Sequence, residues 1–357
     1  MQSGFFTLLK HQFLIKMQNK INLGIIGKNF GYNVIYKSFL KNKKYKIKGF
    51  SFKSKKADKI KIPKNIKIYS SWKKLILDKT INAIVIATPP KLHKSIIKFA
   101  LKNNKHIFCE KPFTCSTKEA NSICNLIKRK KNISHMVNYE FGEIDAFNFF
   151  RKKIMNNIKI NKIYLDWFIN VKKRPKTNWK ENSLQGGGIM FNFVCHAVYY
   201  LEQLFGKIIS IKSNIFHENR NKTKILKAIV FFNNGLSAKL NIMVGLIKKN
   251  KPTHQLKIIS DQKIYILKTK LNSLSDKFEL IAINPNLKNK LSKTLFKNLK
   301  KESDFRIRPT FKNSIKFSNW ILKNKTQSPN FFDAQRVHFI INKMIISSKK
   351  KKKIYIN

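Results

Sequence analysis

Ile21-Asn22-Leu23-Gly24-Ile25-Ile26-Gly27-Lys28-Asn29-Phe30-Gly31 is a short apolar run that stops at a glycine and leads into a helical pattern over 33–40. The run has the signature of a buried strand. A strand-to-helix turn of this kind points backbone N–H groups at an anion, and in dinucleotide-binding folds at a pyrophosphate. A full G-x-G-x-x-G fingerprint would carry glycine at position 29. Asn29 tolerates the left-handed conformation but adds a side chain, and Gly31 falls one place early for the third glycine. Gly27, Asn29, Phe30 and Gly31 are therefore candidate cofactor contacts, with an ordinary glycine turn as the competing reading.

Working outward from this turn, strand and helix signals alternate up to residue 137. Strand patterns cover 45–52, 66–69, 81–88, 106–109 and 132–138, and helical patterns cover 71–78, 92–103 and a stretch opening at Thr117. Such alternation predicts an α/β domain with a parallel sheet and helices on both faces. The second half differs. Helices are expected over 141–155, 189–205, 311–322 and 333–348, and strands over 160–171, 208–216, 225–232, 236–244, 255–260 and 263–268. Asn233-Asn234-Gly235 reads as a tight hairpin turn. The chain thus divides into an extension (1–20), a dinucleotide-binding domain (21–137) and a C-terminal α+β domain with a largely antiparallel sheet (138–357). At 357 residues, two domains are the natural number.

The loops that leave the buried strands carry the chemistry, because α/β sheets bind ligands at the carboxyl ends of their strands. Ala87-Thr88-Pro89-Pro90-Lys91-Leu92-His93 and Cys109-Glu110-Lys111-Pro112 both lie there, which makes Thr88, Pro89, His93, Glu110 and Lys111 candidates. The second strand ends in Phe50-Ser51-Phe52-Lys53-Ser54 without the acid that usually meets an adenosine ribose. Ser51 and Lys53 suit a 2′-phosphate, which favours NADP slightly over NAD. Against that preference, a lysine-rich chain places a lysine almost anywhere.

Composition excludes several classes. Hydrophobic residues make up 43%, with 12 Gly, 9 Pro and 4 Cys, so the chain is neither disordered, collagenous nor disulfide-built. The 75 basic and 17 acidic residues give a net charge of +58, the mark of a nucleic-acid binder at first sight. Only 7 of the basic residues are Arg, whereas readers of phosphates and guanine edges favour its bidentate fork. The lysines run along the whole chain beside abundant Asn and Ile, as A/T-rich codons produce, so no specific nucleic-acid partner is expected. Lys349 to Lys353 reads as a solvated turn. Cys109, Cys115, Cys124 and Cys195 lack metal-ligand spacing, so no metal is expected and a reducing cytoplasmic setting is the default. Residues 1–20 make a poor signal peptide, and Met17 is a second candidate start. The uncharged portion of 182–201 contains Gly186-Gly187-Gly188, Gln185, Asn192 and His196, which argues against a membrane span.

The set A-T-P-P-x-x-H, C-E-K-P and Val137-Asn138-Tyr139-Glu140-Phe141 resembles the Gfo/Idh/MocA oxidoreductases, named for glucose-fructose oxidoreductase and inositol dehydrogenase. Arg174-Pro175, Trp179, Gly186-Gly187-Gly188, Asn192 with His196, and Ser328-Pro329-Asn330-Phe331 extend the likeness over 21–357. The resemblance implies an N-terminal Rossmann domain, a C-terminal open-faced sheet that pairs subunits into a homodimer or homotetramer, a bound NAD or NADP, and a sugar, nucleotide-sugar or cyclitol substrate. It puts Lys111 beside nicotinamide and substrate and Glu110 near the nicotinamide ribose. Asn138, Trp179, Asn192 and His196 become substrate contacts. A sugar of surface-polysaccharide synthesis is the favoured pathway.

Independently, Asn192, His196, Tyr199 and Gln203 recur at i, i+4, i+7 and i+11, one polar stripe down an apolar helix. A buried histidine held by hydrogen bonds is the plain reading; the family resemblance makes it a site residue. The resulting expectation is hydride transfer between a carbinol carbon and nicotinamide, with Lys111 polarising the oxygen and His196 as general acid/base. Asn192 replaces an Asp of the family pattern and cannot ionise. Gly142 stands where many relatives have Arg. Asn192, together with Asn29 in the first turn, favours the alternative of a cofactor-binding sensor or regulator on the same fold.

Overall fold

The computed structural model describes residues 20–52, 62–169, 178–219, 222–245, 254–269, 278–285, 292–297 and 302–356. Residues 1–19 of the expected extension, Lys53, Ser54 and Arg174-Pro175 lie outside these residues.

Six strands form one parallel sheet in the order β3-β2-β1-β4-β5-β6: β1 (Ile21–Ile26), β2 (Tyr45–Ser51), β3 (Lys67–Tyr69), β4 (Ala83–Ile86), β5 (His106–Cys109) and β6 (His135–Val137). The order reverses between β1 and β4, the switch point at which such sheets bind ligands. Ala83, Ile84, Val85 and Ile86 are fully buried, as a strand covered on both faces requires. The crossover helices are α1 (π-helical Gly31–Tyr36 running into Lys37–Leu40), α2 (Trp72–Leu77), α3 (His93–Lys102) and α4 (Thr117–Ile127). Ser71 and Ser116 cap α2 and α4 by accepting from Lys74 and Glu119 N–H.

The second sheet has nine strands in the order β14-β13-β12-β11-β7-β10-β9-β8-β15. It comprises β7 (Ile160–Ile169), β8 (Ile208–Asn219), β9 (Lys222–Phe232), β10 (Ser237–Val244), β11 (His254–Ser260), β12 (Ile264–Thr269), β13 (Phe278–Ile283), β14 (Ser292–Lys297) and β15 (Ile354–Tyr355). Only β7 and β10 run parallel; every other pair is antiparallel. Helices α5 (Asp145–Lys153) and α6 (π-helical Met190–Val194 running into Cys195–Phe205) precede its hairpins, and α7 (Ile307–Lys323) and α8 (Phe331–Lys350) close the chain. The helix expected over 141–155 starts later, because Glu140–Glu143 forms a separate 3-10 turn. At the other end α8 stops at a left-handed Lys351, in the expected lysine turn, and Lys353 lies 3.9 Å from the Phe231 ring.

Helix α7 crosses the expected boundary. Phe317 and Trp320 join the apolar cluster formed by Ile21, Leu23, Ile25 and Phe39 of the first domain. Tyr45 OH donates to Ser314 O at 3.0 Å, and Ser38 Oγ donates to Ile307 O at 3.0 Å. The segment leading into α7 is thereby brought to the turn after β1, where Arg306 lies over Phe30.

Candidate active site

Gly27 has φ +126°, and a Cβ there would meet the Ala87 carbonyl oxygen at 2.2 Å. The turn therefore needs glycine for the close approach of β1 and β4, before any ligand is considered. A Cβ on Gly31 would meet Ile25 and Ala87 side chains at 3.4 and 3.5 Å, ordinary contact that makes Gly31 a helix-to-sheet packing position. Asn29 is exposed at the start of the helix, where the first-turn N–H groups lack intrahelical partners. Phe30 lies beneath the Arg306 guanidinium, 4.8 Å from ring centroid to Cζ.

At the neighbouring strand ends, Thr88 Oγ1 is buried without a hydrogen-bond partner. Pro89 is exposed. His93 is fully buried; its Nε2 lies 2.9 Å from Thr88 O, its Nδ1 3.2 Å from Phe113 O, and Cys109 Sγ is 3.3 Å from that Nδ1. Both ring nitrogens face groups of the β4 and β5 loops, so His93 braces the two loops against each other.

Lys111 follows β5, and its Nζ donates to the backbone oxygen of Asn192 at 3.1 Å. That contact joins the strand end of the first domain to α6 of the second. The glycines upstream of α6 explain how. Gly186, at φ +80°, packs with a would-be Cβ 3.0 Å from Pro90 and 3.4 Å from Pro112. Gly187 has no room for a Cβ, which would lie 2.1 Å from Trp179 O. These glycines fit their loop against the two Rossmann loops. The Asn192 side chain donates to Lys180 O at 3.0 Å.

His196 is buried on the same helix. Its Nε2 is 3.9 Å from Glu140 Oε1, and its Nδ1 has no partner. Phe141 packs on its ring at 4.5 Å. Burial first, then the charges of Lys111, His254 and Arg306, pushes its pKa well below 6.5, so the imidazole is neutral near pH 7. The rest of the polar stripe serves the fold: Tyr199 OH meets Ser328 Oγ at 3.0 Å, and Gln203 Nε2 donates to Tyr199 OH. These two side chains also fill the space at Gly142, where a Cβ would meet Gln203 Oε1 at 2.5 Å. An arginine has no room there.

Asn138 lies behind Glu110. It is fully buried; its amide donates to Glu110 Oε1 at 2.7 Å and to Thr310 Oγ1 at 3.1 Å, and its oxygen accepts from Asn313 at 3.0 Å. These bonds make Asn138 an orienting partner of Glu110. Two residues the sequence did not single out complete the site. Glu140 is 1% exposed, and its Oε2 has no hydrogen-bond partner. Arg306, paired to Asp304 by Nε at 2.8 Å and Nη2 at 2.5 Å, acts electrostatically on Glu110 and Glu140. Burial, then repulsion from Glu140, pushes Glu110 up to about 8.

These residues fit a dinucleotide: a glycine turn at the switch point, a partnerless buried Thr88 Oγ1 after β4, and the partnerless buried atoms of Glu140 and His196 near the Lys111 charge. Among the described residues no helix is long and apolar enough to cross a membrane.

Comparison with known proteins agrees with this architecture. Residues 21–139 match the model of an oxidoreductase family with an NAD-binding Rossmann fold, and residues 151–277 match its C-terminal alpha/beta domain. An uncharacterized oxidoreductase of Synechocystis sp. is 27% identical over 151 residues, 41% of this chain and 40% of its own length. The levoglucosan dehydrogenase of Pseudarthrobacter phenanthrenivorans is 28% identical over 151 residues, 40% of this chain and 38% of its own length. The matched stretch thus spans about two fifths of such relatives. A solved levoglucosan dehydrogenase in complex with NADH and levoglucosan superposes with a TM-score of 0.80 at 17% identity, covering 95% of this chain and 99% of that one. The chain belongs to the Gfo/Idh/MocA oxidoreductase family, with an NAD-binding Rossmann domain followed by the family's C-terminal domain.

Proposed function

We propose that this protein is an NAD(P)-dependent dehydrogenase or reductase acting on a secondary alcohol or ketone of a sugar, nucleotide-sugar or cyclitol, with a role in surface-polysaccharide sugar synthesis. The observation that carries the reading is the meeting of Lys111 and the His196 helix in one buried site. The bound nicotinamide supplies the hydride acceptor or donor. Gly27, Asn29, Phe30 and Gly31 form the pyrophosphate turn, Thr88 and Pro89 border the dinucleotide, and Glu110, held by Asn138, faces the nicotinamide ribose. Lys111 polarises the reacting oxygen and His196 moves its proton. Trp179 and Asn192 border the sugar.

The missing acid after β2 supports NADP over NAD. Lys28, whose Nζ is 6.0 Å from the Phe52 ring, adds a cation at the end of β2 for a 2′-phosphate. The open face of the second sheet supports a homodimer or homotetramer. A cytoplasmic location accords with the unpaired cysteines.

Mass spectrometry of small molecules released from the purified protein tests the reading. A retained dinucleotide, with turnover on a polyol and sugar panel, is expected. Failure to bind either dinucleotide would overturn it. Binding without any turnover would favour the sensor reading, to which the un-ionisable Asn192 lends support.

A further inference from the structure

Glu110 and Glu140 pose a charge problem. Their side chains are 6% and 1% exposed as residues, and among the described residues neither has a Lys or Arg nitrogen within ion-pair distance. Lys111 spends a hydrogen bond on Asn192 O, and Arg306 spends two on Asp304. Glu110 receives a neutral amide, and Glu140 Oε2 receives nothing. Two carboxylates this buried resist being ionised together, even with the charges of Lys111 and Arg306 nearby. The groups facing them are Lys111, Cys109, Cys195, His196, Asp304 and Arg306. The two thiols are pushed up by burial, so they add no negative charge near neutrality.

We propose that Glu110 and Glu140 form an acid pair that stores one exchangeable proton, and that Glu140 is the acceptor behind His196 for the proton of the reacting hydroxyl. The second half rests on the dehydrogenase reading above. His196 lies between the two ends of such a path: Nε2 is 3.9 Å from Glu140 Oε1, so the proton passes when the pair closes to hydrogen-bond distance, and the buried Nδ1 has no protein partner. In alcohol oxidation the C–H bond breaks with its electron pair leaving as hydride to the nicotinamide. The hydroxyl proton passes to Nδ1, the Nε2 proton passes to Glu140, and the C–O bond becomes a carbonyl. No proton needs to reach solvent during the step. The pair gives up its stored proton when a cationic nicotinamide is bound beside it, and holds it beside the neutral reduced ring. Burial as the leading cause raises both carboxyls, Glu110 to about 8, in keeping with storage at neutral pH.

Calorimetric titration of the whole protein with NAD+ and NADH, or NADP+ and NADPH, in phosphate and in Tris at pH 7 counts the protons exchanged. The expected result is release of about one proton per oxidised dinucleotide and about none for the reduced form, lost in Glu140→Gln. Equal release by Glu140→Gln, or none by the wild type, would overturn the proposal. Should Glu140→Gln fail to fold, the wild type decides alone: its release must vanish once the pH is raised about two units above 8, where the pair is already ionised. Infrared spectra of the ligand-free protein separate this idea from the dinucleotide reading. A protonated-carboxyl band at pH 7 is expected without any cofactor, and its absence would sink the acid pair even if both dinucleotides bind.

Discussion

Lys111 Nζ and the backbone oxygen of Asn192 lie 3.1 Å apart although 81 positions separate them in sequence. The bond fixes where the end of β5 sits against α6, and one turn further along α6 stands His196. The sequence motifs C-E-K-P and G-G-G…H therefore converge on one point although they arise in different domains.

That convergence makes the first prediction. Lys111→Met and His196→Phe should each lower kcat by about 10²–10⁴-fold on whichever sugar or polyol is turned over. Dinucleotide affinity should change far less. The double variant should be little worse than the worse single one, since the two groups act on one oxygen and one proton. Multiplicative losses in steady-state kinetics would show that they act separately.

The two glycines of the first turn should answer differently to the same change. Gly27→Ala puts a Cβ 2.2 Å from Ala87 O at φ +126°, so it should destabilise the protein severely. Gly31→Ala meets only contacts of 3.4 and 3.5 Å inside a helix, and helix propensity offsets part of any cost. Thermal melts should separate them by many degrees. Asn29→Glu, at an exposed position, should leave the melt unchanged and weaken dinucleotide binding by about tenfold through charge at a phosphate site. An unchanged Kd would place the dinucleotide elsewhere.

Why the turn was legible and the acid pair was not is a matter of range. The run Ile21–Gly27 carries its own explanation: a buried strand, then a residue forced to be glycine. The polar stripe of α6 was equally local, but the partners that sort it are not. Tyr199 is claimed by Ser328, and Asn138 by Glu110, Thr310 and Asn313, all distant in sequence. Glu140 reads as an unremarkable acid until folding removes its water and leaves one oxygen unpartnered. Strands β13 and β14 escaped prediction for a local reason. Phe278-Glu279-Leu280-Ile281-Ala282-Ile283 is apolar on both alternating faces and too short to tell from a helix fragment by period.

Three buried histidines predict the acid limit of the fold. His135, His254 and His338 titrate near 6.5 when unfolded, and burial lowers each to about 3 in the folded protein. The folded pKa lies below the unfolded one, so the unfolded chain binds more protons between about 3 and 6.5. Stability is therefore full above that window and falls as pH drops through it. Three groups give a slope of about 4 kcal/mol per pH unit, against a total of about 5–15 kcal/mol. Glu110, raised to about 8, and Glu140, also raised, work the other way as two groups against three. Circular dichroism should show cooperative unfolding at about pH 4–5. A native spectrum at pH 3 would contradict it.

The last prediction concerns the uncovered face of the second sheet. Along β9, β7 and β13 the alternate residues Ala228 and Val230, Leu165 and Trp167, Leu280 and Ala282 are buried against the helices. Their neighbours Ile229, Phe168 and Ile281 point to the other side and are only half-buried. A sheet that is apolar on both faces needs a second cover. Cross-strand polar pairs such as Asp166 with Asn241, at 3.3 Å, interrupt the apolar surface and would fix the register of a partner sheet. The protein should therefore elute from sizing columns with light scattering as a dimer or tetramer at physiological salt. Ile229→Lys together with Ile281→Lys should release monomers whose thermal stability is lower but whose circular dichroism is native. Salt matters to the test, because a chain of net charge +58 repels its own copies at low ionic strength. A wild-type monomer at physiological salt and micromolar concentration would rule the interface out.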